Sequence, residues 1–349
     1  MGKSGEIAAR MSQYKITVAG DGGCFPAAAE DTILSAALRA GIGIPYECSS
    51  GGCGSCKVEL CSGTVFLRYP ESPGLKARDF ERGKRLACMS LPQRDCVIRF
   101  REDVDARPRV KPIRRGARLL ARIPLTHDLW EFRFILEGSP RFLAGQYALL
   151  HLPGIMGGRA FSMSNRPDGE NVWAFQIKRV PGGHATGILF DELHLGDQIE
   201  IDGPYSTAYL HIDEPRDIVC VAGGSGLAPV LSIARTALAD RRFPSRKIHF
   251  FYGGRTMRDM IDPAALGLDD ERVQFVPVVS DADETGGAAQ TLTLASGLVH
   301  EQVGVRLSEP YSAYEFYLAG PPLMVEAARR LLLLEKSVPV HQVHYDRFF

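Results

Sequence analysis

The sequence lacks a charge excess of either sign. Its 41 lysine and arginine residues balance 41 aspartate and glutamate residues, so the formal net charge is zero. A protein without a global positive field is not expected to bind nucleic acid or an anionic membrane surface. Nucleic acid is therefore not a predicted partner.

Long apolar runs are also absent from the sequence. No segment approaches the roughly 20 apolar residues that a membrane-spanning helix needs. Residues 1–12 are polar and lack the apolar core of a secretory signal. These features predict a cytoplasmic protein with no membrane span. The length of 349 residues is too great for one ordinary core and predicts two or three domains.

Cysteine is present in an uneven pattern. Cys48, Cys53 and Cys56 follow a C-x4-C-x2-C spacing, and Cys88 stands alone further along the chain. This is the plant-type ligand pattern of a [2Fe–2S] cluster. The residues between the first three cysteines are small and allow backbone N–H groups to point at the sulfurs; they include Ser49, Gly51, Gly52, Gly54 and Ser55.

Structural zinc, a disulfide and buried thiols are the alternatives. Zinc ribbons usually carry two C-x2-C pairs, whereas this chain has one. The remaining cysteines have apolar neighbours in the sequence and are predicted to be small buried hydrophobic residues; they are Cys24, Cys61, Cys96 and Cys220.

The N-terminal third of the chain has the pattern of a small mixed α/β domain. Residues 15–18, 57–60 and 96–100 alternate in polarity like strands, and residues 31–41 have the pattern of a helix. Together with the cysteine motif, residues 12–103 resemble a plant-type ferredoxin, which implies a β-grasp fold. Residues 104–113 are predicted to form an exposed, semi-rigid linker.

Short alternating segments dominate residues 114–213 and predict an antiparallel β-barrel. Within them, Arg159 can pair with a pyrophosphate, Phe161 can stack on an isoalloxazine ring, and the hydroxyl of Ser162 can reach that ring. A glycine turn at Gly182 follows, close to the hydroxyl of Thr186, and is typical of a phosphate cradle.

These motifs resemble those of the ferredoxin–NADP reductase superfamily, which implies bound FAD. The resemblance assigns the pyrophosphate to the arginine and the glycine loop, and it assigns the flavin ring to the aromatic and serine positions. The predicted flavin contacts are Arg159, Phe161, Ser162, Met163, Ser164, Gln176, Lys178, Val180, Gly182, Gly183 and Thr186.

The remaining residues, 214–349, alternate between apolar runs and helical patterns and predict a parallel sheet in an α/β domain. The first run leads into a glycine turn and then a helix, the setting in which a turn binds pyrophosphate. Pro229 stands where a dinucleotide fingerprint would have its third glycine. The superfamily resemblance assigns the nucleotide to Gly223, Gly224, Ser225 and Gly226, and the nicotinamide to Gly320 and Pro321.

Two further features bear on the nucleotide. Arg255 and Arg258 follow the second strand and could hold a 2′-phosphate, whereas Asp259 would repel it. Stacking on adenine is the predicted role of Arg255, and the resemblance favours NADH as the donor. At the C-terminus, the resemblance implies that Phe348 or Phe349 covers the flavin face where nicotinamide binds. With Ser162 these aromatics are the predicted catalytic residues, and hydrophobic packing against the barrel is the alternative for them.

The order of the parts predicts electron transfer. Nicotinamide gives up two electrons as a hydride, whereas a [2Fe–2S] cluster accepts one at a time, so a flavin is needed between them. The complete order resembles the reductase components of bacterial multicomponent oxygenases, in particular toluene and xylene monooxygenase reductases. That resemblance implies an NADH-dependent iron–sulfur flavoprotein whose acceptor is a non-haem iron monooxygenase of aromatic or alkyl-aromatic hydrocarbons, or its Rieske ferredoxin.

Other interpretations stay open at this point. The same chemistry can serve a Rieske dioxygenase, a desaturase or a cytochrome P-450. A redox or zinc sensor without enzymatic activity is the interpretation from a different class, and it predicts that no flavin binds. The chain is expected to act as a monomer.

Overall fold

The computed structural model describes residues 13–20, 22–281 and 294–349. Residue 12, where the predicted first domain begins, lies outside the described residues, as does the rest of the polar segment 1–12. The chain divides into two compact units. The first extends to Arg114 and includes Asp202–Thr207 and Phe349, and the second consists of Arg115–Ile201 and Ala208–Phe348.

The first unit is built on a five-stranded mixed sheet with the order β2-β1-β7-β3-β5, and β4 pairs with β6 beside it. Strands β1 and β7 are parallel, and the other pairs are antiparallel. The elements are β1 Gln13–Val18, β2 Cys24–Ala28, α1 Ile33–Ala40, β3 Lys57–Ser62, β4 Val65–Leu67, α2 Ala77–Glu81, β5 Lys84–Leu86, β6 Ser90–Pro92 and β7 Cys96–Arg99. The β-grasp prediction is confirmed.

Helix α1 shows why this segment folds as the sequence indicates. The hydroxyl of Thr32 accepts a hydrogen bond from the N–H of Ser35 at 3.1 Å, which caps the first turn. Gly41 ends the helix in the left-handed conformation, with φ 85°. The apolar face of the helix is buried in the core, as its spacing predicts.

Two of the four cysteines outside the motif do not follow the prediction. Cys96 and Cys220 are buried, as expected, but Cys24 and Cys61 are exposed. Cys24 begins β2, which is one of the two edge strands of the sheet. Cys61 lies where the register between β3 and β7 shifts. The apolar neighbours of these two cysteines in the sequence point to the other face of the strand.

The second unit begins with a six-stranded sheet of order β11-β10-β13-β8-β9-β12. A β-bridge between Met163 and Phe175 joins its two ends, so the sheet is nearly closed into a barrel. The elements are β8 Ile113–Pro124, β9 Leu129–Leu136, β10 Tyr147–His151, β11 Arg159–Ser162, β12 Val172–Lys178, α3 His184–Gly187 and β13 Gln198–Tyr205. Its interior is filled by aromatic and aliphatic side chains, which confirms the predicted barrel.

A parallel sheet of order β17-β16-β15-β14-β18-β19 forms the rest of the second unit. Apolar clusters cover both of its faces, which explains the continuous apolar runs of the sequence. The elements are β14 Asp217–Gly223, α4 Leu227–Ala239, β15 Ile248–Gly254, β16 Val273–Val279, β17 Ala295–Ser296, α5 Val299–Arg306, β18 Tyr314–Gly320, α6 Pro322–Arg330 and β19 Val343–Arg347. The parallel α/β fold is therefore confirmed.

The C-terminal segment adds an edge strand to the parallel sheet. Val343–Arg347 forms β19, which pairs in parallel with β18 along its whole length. Among the described helices, none has both the length and the apolar character needed to cross a membrane.

Candidate functional site

The four motif cysteines lie close together in the first unit as two pairs. The Sγ atoms of Cys48 and Cys53 are 3.2 Å apart, and those of Cys56 and Cys88 are 3.3 Å apart. Both separations exceed the roughly 2.05 Å of a disulfide bond, and all the cysteines are free thiols. A [2Fe–2S] cluster is held by four thiolates, two on each iron, so two close pairs are the donor set that such a cluster requires.

Backbone N–H groups of the loop point at these sulfurs. The N–H groups of Ser50 and Cys53 donate to Cys48 Sγ, each at 3.4 Å, and the N–H of Ser55 donates to Cys53 Sγ at the same distance. Contact with the Cys53 thiol and these N–H donors lowers the pKa of the Cys48 thiol to about 5. The pKa of Cys53 is raised in turn by its hydrogen bond with Cys48. The loop thus stabilises the thiolate of Cys48, the form of cysteine that binds iron.

Glycine is required at two points of this loop. Gly54 has φ +78°, and a Cβ atom there would lie 2.6 Å from the carbonyl oxygen of Gly74. Gly51 has φ +83°, and its carbonyl accepts a hydrogen bond from the N–H of Gly74 at 2.9 Å. The loop therefore packs backbone against backbone, and its residues fit a [2Fe–2S] cluster better than a zinc ribbon.

The structure separates the two C-terminal aromatics. The backbone N–H of Phe348 donates to the carbonyl of Gly320 at 2.9 Å, and its partly buried ring packs against the apolar core beside β14 and α4. Phe349 groups instead with the first unit, where a Cβ atom on Gly52 would lie 2.4 Å from the Phe349 Cβ. Of the two candidates to cover a flavin, Phe348 is the one beside the predicted nicotinamide motif.

Strand β11 carries the predicted flavin contacts in the second unit. Arg159 is partly exposed, and its Nη1 donates to the carbonyl oxygen of Met156 at 3.2 Å. Phe161, two residues along, is partly buried at the edge of the barrel core. Residues i and i+2 of a strand share a face, so a charged group and an aromatic ring are available to the two ends of one cofactor. Ser162 is buried beside them.

Three of the predicted contacts have buried side chains. The Met163 side chain is fully buried in the core. Ser164 Oγ and Gln176 Nε2 each donate to Glu131 Oε2 at 3.4 Å. These groups lie on the face of the sheet opposite to the barrel core, since Gln176 alternates with the core residues Phe175 and Ile177. Sequence reasoning missed Glu131, a buried carboxylate that also pairs with Arg133 at 2.7 Å. It alternates with the core residue Phe132, and no local pattern signalled its burial.

The glycine loop after β12 is shaped by Thr186. Its hydroxyl accepts a hydrogen bond from the N–H of Val180 at 3.2 Å and lies 3.1 Å from the carbonyl of Gly183. Gly182 has φ +68° and open space where a Cβ would stand. The hydroxyl therefore closes the turn, and the backbone of the loop is the part that can face a phosphate.

The Lys178 side chain lies between two carboxylates. Its Nζ lies 3.0 Å from Asp259 Oδ1 and 3.1 Å from Asp128 Oδ2. Asp259 Oδ2 accepts hydrogen bonds from the N–H groups of Arg255 and Thr256. Burial opposes ionisation of Asp259, but the Thr256 N–H and Lys178 together lower its pKa. This ion pair joins β12 of the barrel to the loop after β15.

The ion pair also bears on the argument about the nucleotide. The carboxylate of Asp259 is nearly buried and pairs with Lys178. Because Lys178 also pairs with Asp128, one negative charge of the three groups remains, and repulsion of a 2′-phosphate by Asp259 stays a prediction. The side chain of Arg255 is exposed beside it, where it can stack on an adenine ring.

The two glycine turns of the α/β part meet at the carboxyl edge of the parallel sheet. A Cβ on Gly226 would lie 2.0 Å from the carbonyl oxygen of Ala319, and one on Gly320 would lie 2.8 Å from the carbonyl oxygen of Gly223. Gly224 has φ +54°, with open space beside it. Ser225 is partly buried, and Pro321 is exposed at the start of α6. This edge is where open α/β sheets bind nucleotides.

Three protein families match successive parts of the chain. Residues 16–93 match the family described as a 2Fe-2S iron–sulfur cluster binding domain. Residues 116–209 match an oxidoreductase FAD-binding domain, and residues 220–330 match an oxidoreductase NAD-binding domain.

Whole-length relatives share all three parts. The ferredoxin–NAD(P)+ reductase CarAd of Metapseudomonas resinovorans is 37% identical over 97% of this chain and 100% of its own length. The ferredoxin–NAD+ reductase component of the alkene monooxygenase system of Xanthobacter autotrophicus is 38% identical over 94% of this chain and 98% of its own length. The xylene/toluene monooxygenase electron transfer component of Pseudomonas putida is 32% identical over 96% and 93% of the two chains.

Solved structures agree with these relatives. The ferredoxin reductase in carbazole 1,9a-dioxygenase has a TM-score of 0.88 and 33% identity, and the match covers 97% of this chain and 99% of that one. A cytochrome P-450 reductase from Amycolatopsis has a TM-score of 0.79 and 31% identity, with coverage of 96% and 98%.

Proposed function

Because this chain belongs to the family of ferredoxin–NAD(P)H reductases that serve oxygenases as electron-transfer components, we propose that it oxidises NADH on behalf of an oxygenase system. Electrons pass from NADH to FAD, then to a [2Fe–2S] cluster, and then to an external protein. The observation that carries this proposal is the pair of thiol contacts, Cys48 with Cys53 and Cys56 with Cys88, in a chain that also has a flavin barrel and a nucleotide sheet.

Each part of the chain contributes binding and position. Bound FAD converts the two-electron hydride of NADH into single electrons, which a [2Fe–2S] cluster can carry. The Arg159 guanidinium and the backbone of the Gly182 loop hold the flavin pyrophosphate, and Phe161 stacks on its ring. The Gly226 and Gly320 turns hold the nucleotide at the sheet edge, beside Phe348. None of these roles requires a protein acid or base.

The acceptor is either the oxygenase itself or a ferredoxin that serves it. The relatives with 37% and 38% identity are both named as ferredoxin–NAD reductases, which supports a ferredoxin acceptor such as the predicted Rieske protein. An aromatic or alkyl-aromatic hydrocarbon is the proposed substrate of the oxygenase. Relatives named for xylene/toluene and for phenol support it. The predicted monomeric state and cytoplasmic location stay predictions, and sedimentation of the holoprotein tests the first.

A paired activity measurement tests the proposal. The purified protein is expected to show overlapping flavin and iron–sulfur absorption that bleaches when NADH is added. Cys88→Ala is expected to abolish reduction of a one-electron protein acceptor such as cytochrome c, because one iron loses a thiolate. Reduction of ferricyanide by the flavin is expected to continue in this variant.

Cys24→Ser is the matched control, since Cys24 is exposed and outside the cluster motif. It is expected to retain both activities. A colourless protein would exclude the proposed cofactors, and equal loss of both activities in Cys88→Ala would contradict a cluster that acts after the flavin.

A further inference from the structure

The surface next to the fourth cysteine carries an uneven charge, although the chain as a whole is neutral. Residues 76–85 contain five lysine or arginine residues and two acidic residues. The segment consists of α2, the turn that follows it and the start of β5. Most of its side chains are exposed, so the charge excess is presented to solvent.

Part of this charge is already neutralised. Asp79 pairs with Lys57 at 2.9 Å and with Lys84 at 3.7 Å. The Arg85 guanidinium lies 3.9 Å from the centre of the Phe80 ring and donates to the Phe80 carbonyl oxygen at 3.0 Å. These contacts fix the fold of the segment and hold the Phe80 ring in place, with 42% of its surface exposed.

Three basic side chains are left over. Lys76, Arg78 and Arg82 are exposed, and within the described part of the chain none of the three has an ion-pair partner. Arg78 and Arg82 are four residues apart, so they lie on the same side of the helical turn. The three basic side chains and the Phe80 ring together form a basic face.

Both ends of the segment are attached to the cluster loop. Before it, the N–H of Gly74 donates to the carbonyl of Gly51 at 2.9 Å, and after it, the N–H of Ala87 donates to the carbonyl of Cys56 at 2.9 Å. Lys76 follows Gly74 by two residues, which is at most about 7 Å along the chain. A protein that binds the basic face would therefore lie close to the predicted cluster.

We propose that the basic face, Lys76, Arg78 and Arg82 around Phe80, is the docking surface for an acidic electron-acceptor protein. Exposed cations at the rim of an interface steer an oppositely charged partner and raise its association rate. An exposed aromatic ring among them supplies the apolar contact of a binding hot spot. The inference rests on the proposed function, because it needs electrons to leave through the cluster.

The test compares two double charge reversals in the full-length holoprotein. R78E/R82E reverses the basic face. K15E/R94E makes the same change in net charge at the opposite end of the same sheet. Strand β3 begins at Lys57, next to the cysteine motif, and runs away from it to Ser62. Gly63, which follows the strand, packs against Asp95, and Arg94 is the neighbour of Asp95 in the sequence. Lys15 is held there by a hydrogen bond from its N–H to Asp95 at 2.8 Å.

Reduction of two haem proteins by NADH is the measurement. Cytochrome b5 is acidic and cytochrome c is basic, so they probe the sign of the docking surface. For the unmodified protein, kcat/KM with cytochrome b5 is expected to fall as salt is added, because screening weakens the attraction. R78E/R82E is expected to lower that kcat/KM about tenfold and to raise kcat/KM for cytochrome c. K15E/R94E is expected to change neither by more than about twofold.

Three results separate the possible failures. Equal effects of the two double variants would overturn the basic face, because net charge alone would then explain them. An unchanged rate with cytochrome b5 in R78E/R82E would overturn it as well. If the unmodified protein did not reduce ferricyanide with NADH, the proposed function itself would be contradicted. The visible absorption of each variant shows that its cluster and flavin are retained.

Discussion

The last residue of the chain, Phe349, packs against Gly52 in the cysteine loop. A Cβ atom on Gly52 would lie 2.4 Å from the Cβ and 2.6 Å from the Cγ of Phe349, which is too close for any side chain. Both residues belong to the first unit. The ring of Phe349 thus covers the backbone next to Cys53, and this contact depends on glycine at position 52.

Gly52→Ala is therefore expected to displace Phe349. Since the ring is about half exposed, the contact contributes about 1 kcal/mol, which is about fivefold in a rate or equilibrium constant. Gly52→Ala and Phe349→Ala are each expected to accelerate loss of cluster absorbance in a chelator by about that factor. The double variant is expected to lose the cluster no faster than either single one.

Phe66→Ala serves as the control for this cycle, because Phe66 is another exposed aromatic of the first unit. It is expected to combine additively with Gly52→Ala. Additive effects of Gly52→Ala and Phe349→Ala would show that the two residues act independently, against the contact described above.

Arg159→Ala tests the flavin clamp. The guanidinium is the cation of strand β11 that is predicted to pair with the pyrophosphate, and charge-assisted pairs of this kind contribute about 1.5–3 kcal/mol. The variant is expected to lose FAD more readily on gel filtration, with at least a tenfold weaker affinity. Arg118→Ala, an exposed arginine on strand β8 of the same barrel, is expected to retain its flavin. Equal flavin content in the two variants would show that Arg159 does not bind the flavin.

Gly226→Ala tests the close approach of the two glycine turns. The added Cβ would lie 2.0 Å from the Ala319 carbonyl oxygen, and backbone atoms cannot move aside as a flexible side chain can. Overpacking of this kind destabilises a fold by about 1–3 kcal/mol, so a lower thermal midpoint and a higher KM for NADH are expected. Gly187→Ala is the control, since nothing lies within 4 Å of its Cβ position; a normal midpoint in Gly226→Ala would contradict the crowding.

Local patterns were enough to predict much of this structure. The cysteine spacing, the alternating strands and the glycine turns each depend on a few neighbouring residues. The cap of α1 and the buried face of β14 follow from the same short-range rules. This is why the fold class and the cofactors could be predicted without coordinates.

What the sequence did not predict depends on distant partners. Val343–Arg347 alternates weakly and becomes a strand because β18 offers it a free edge. Glu131 is buried because Ser164 and Gln176 donate to it. Lys178 and Asp259 are 81 positions apart, and no local pattern links them. Such contacts join residues that are far apart in the sequence, so short-range patterns cannot predict them.

The Lys178–Asp259 pair makes stability depend on pH in a defined direction. The pKa of Asp259 is lowered in the folded protein, so its contribution is fully present above the unfolded value of about 3.9. It is lost as the pH falls through the folded pKa. The pKa of Lys178 is raised, although burial acts against this, by its bonds to Asp259 and Asp128. Its contribution is therefore present below about pH 10.4 and is lost at higher pH.

Asp259→Asn is expected to lower the free energy of unfolding at pH 7 by about 1–2 kcal/mol. A hydrogen bond to a charged group contributes slightly more than this, and solvent screens Lys178, whose side chain is one-third exposed. The thermal midpoint, followed by flavin release, should differ from that of the unmodified protein at pH 7 and begin to converge with it only below about pH 4. Asp269→Asn, at an exposed carboxylate, should match the unmodified protein at neutral pH. A difference for Asp259→Asn that persists unchanged to pH 3 would show that shape, and not charge, holds this loop.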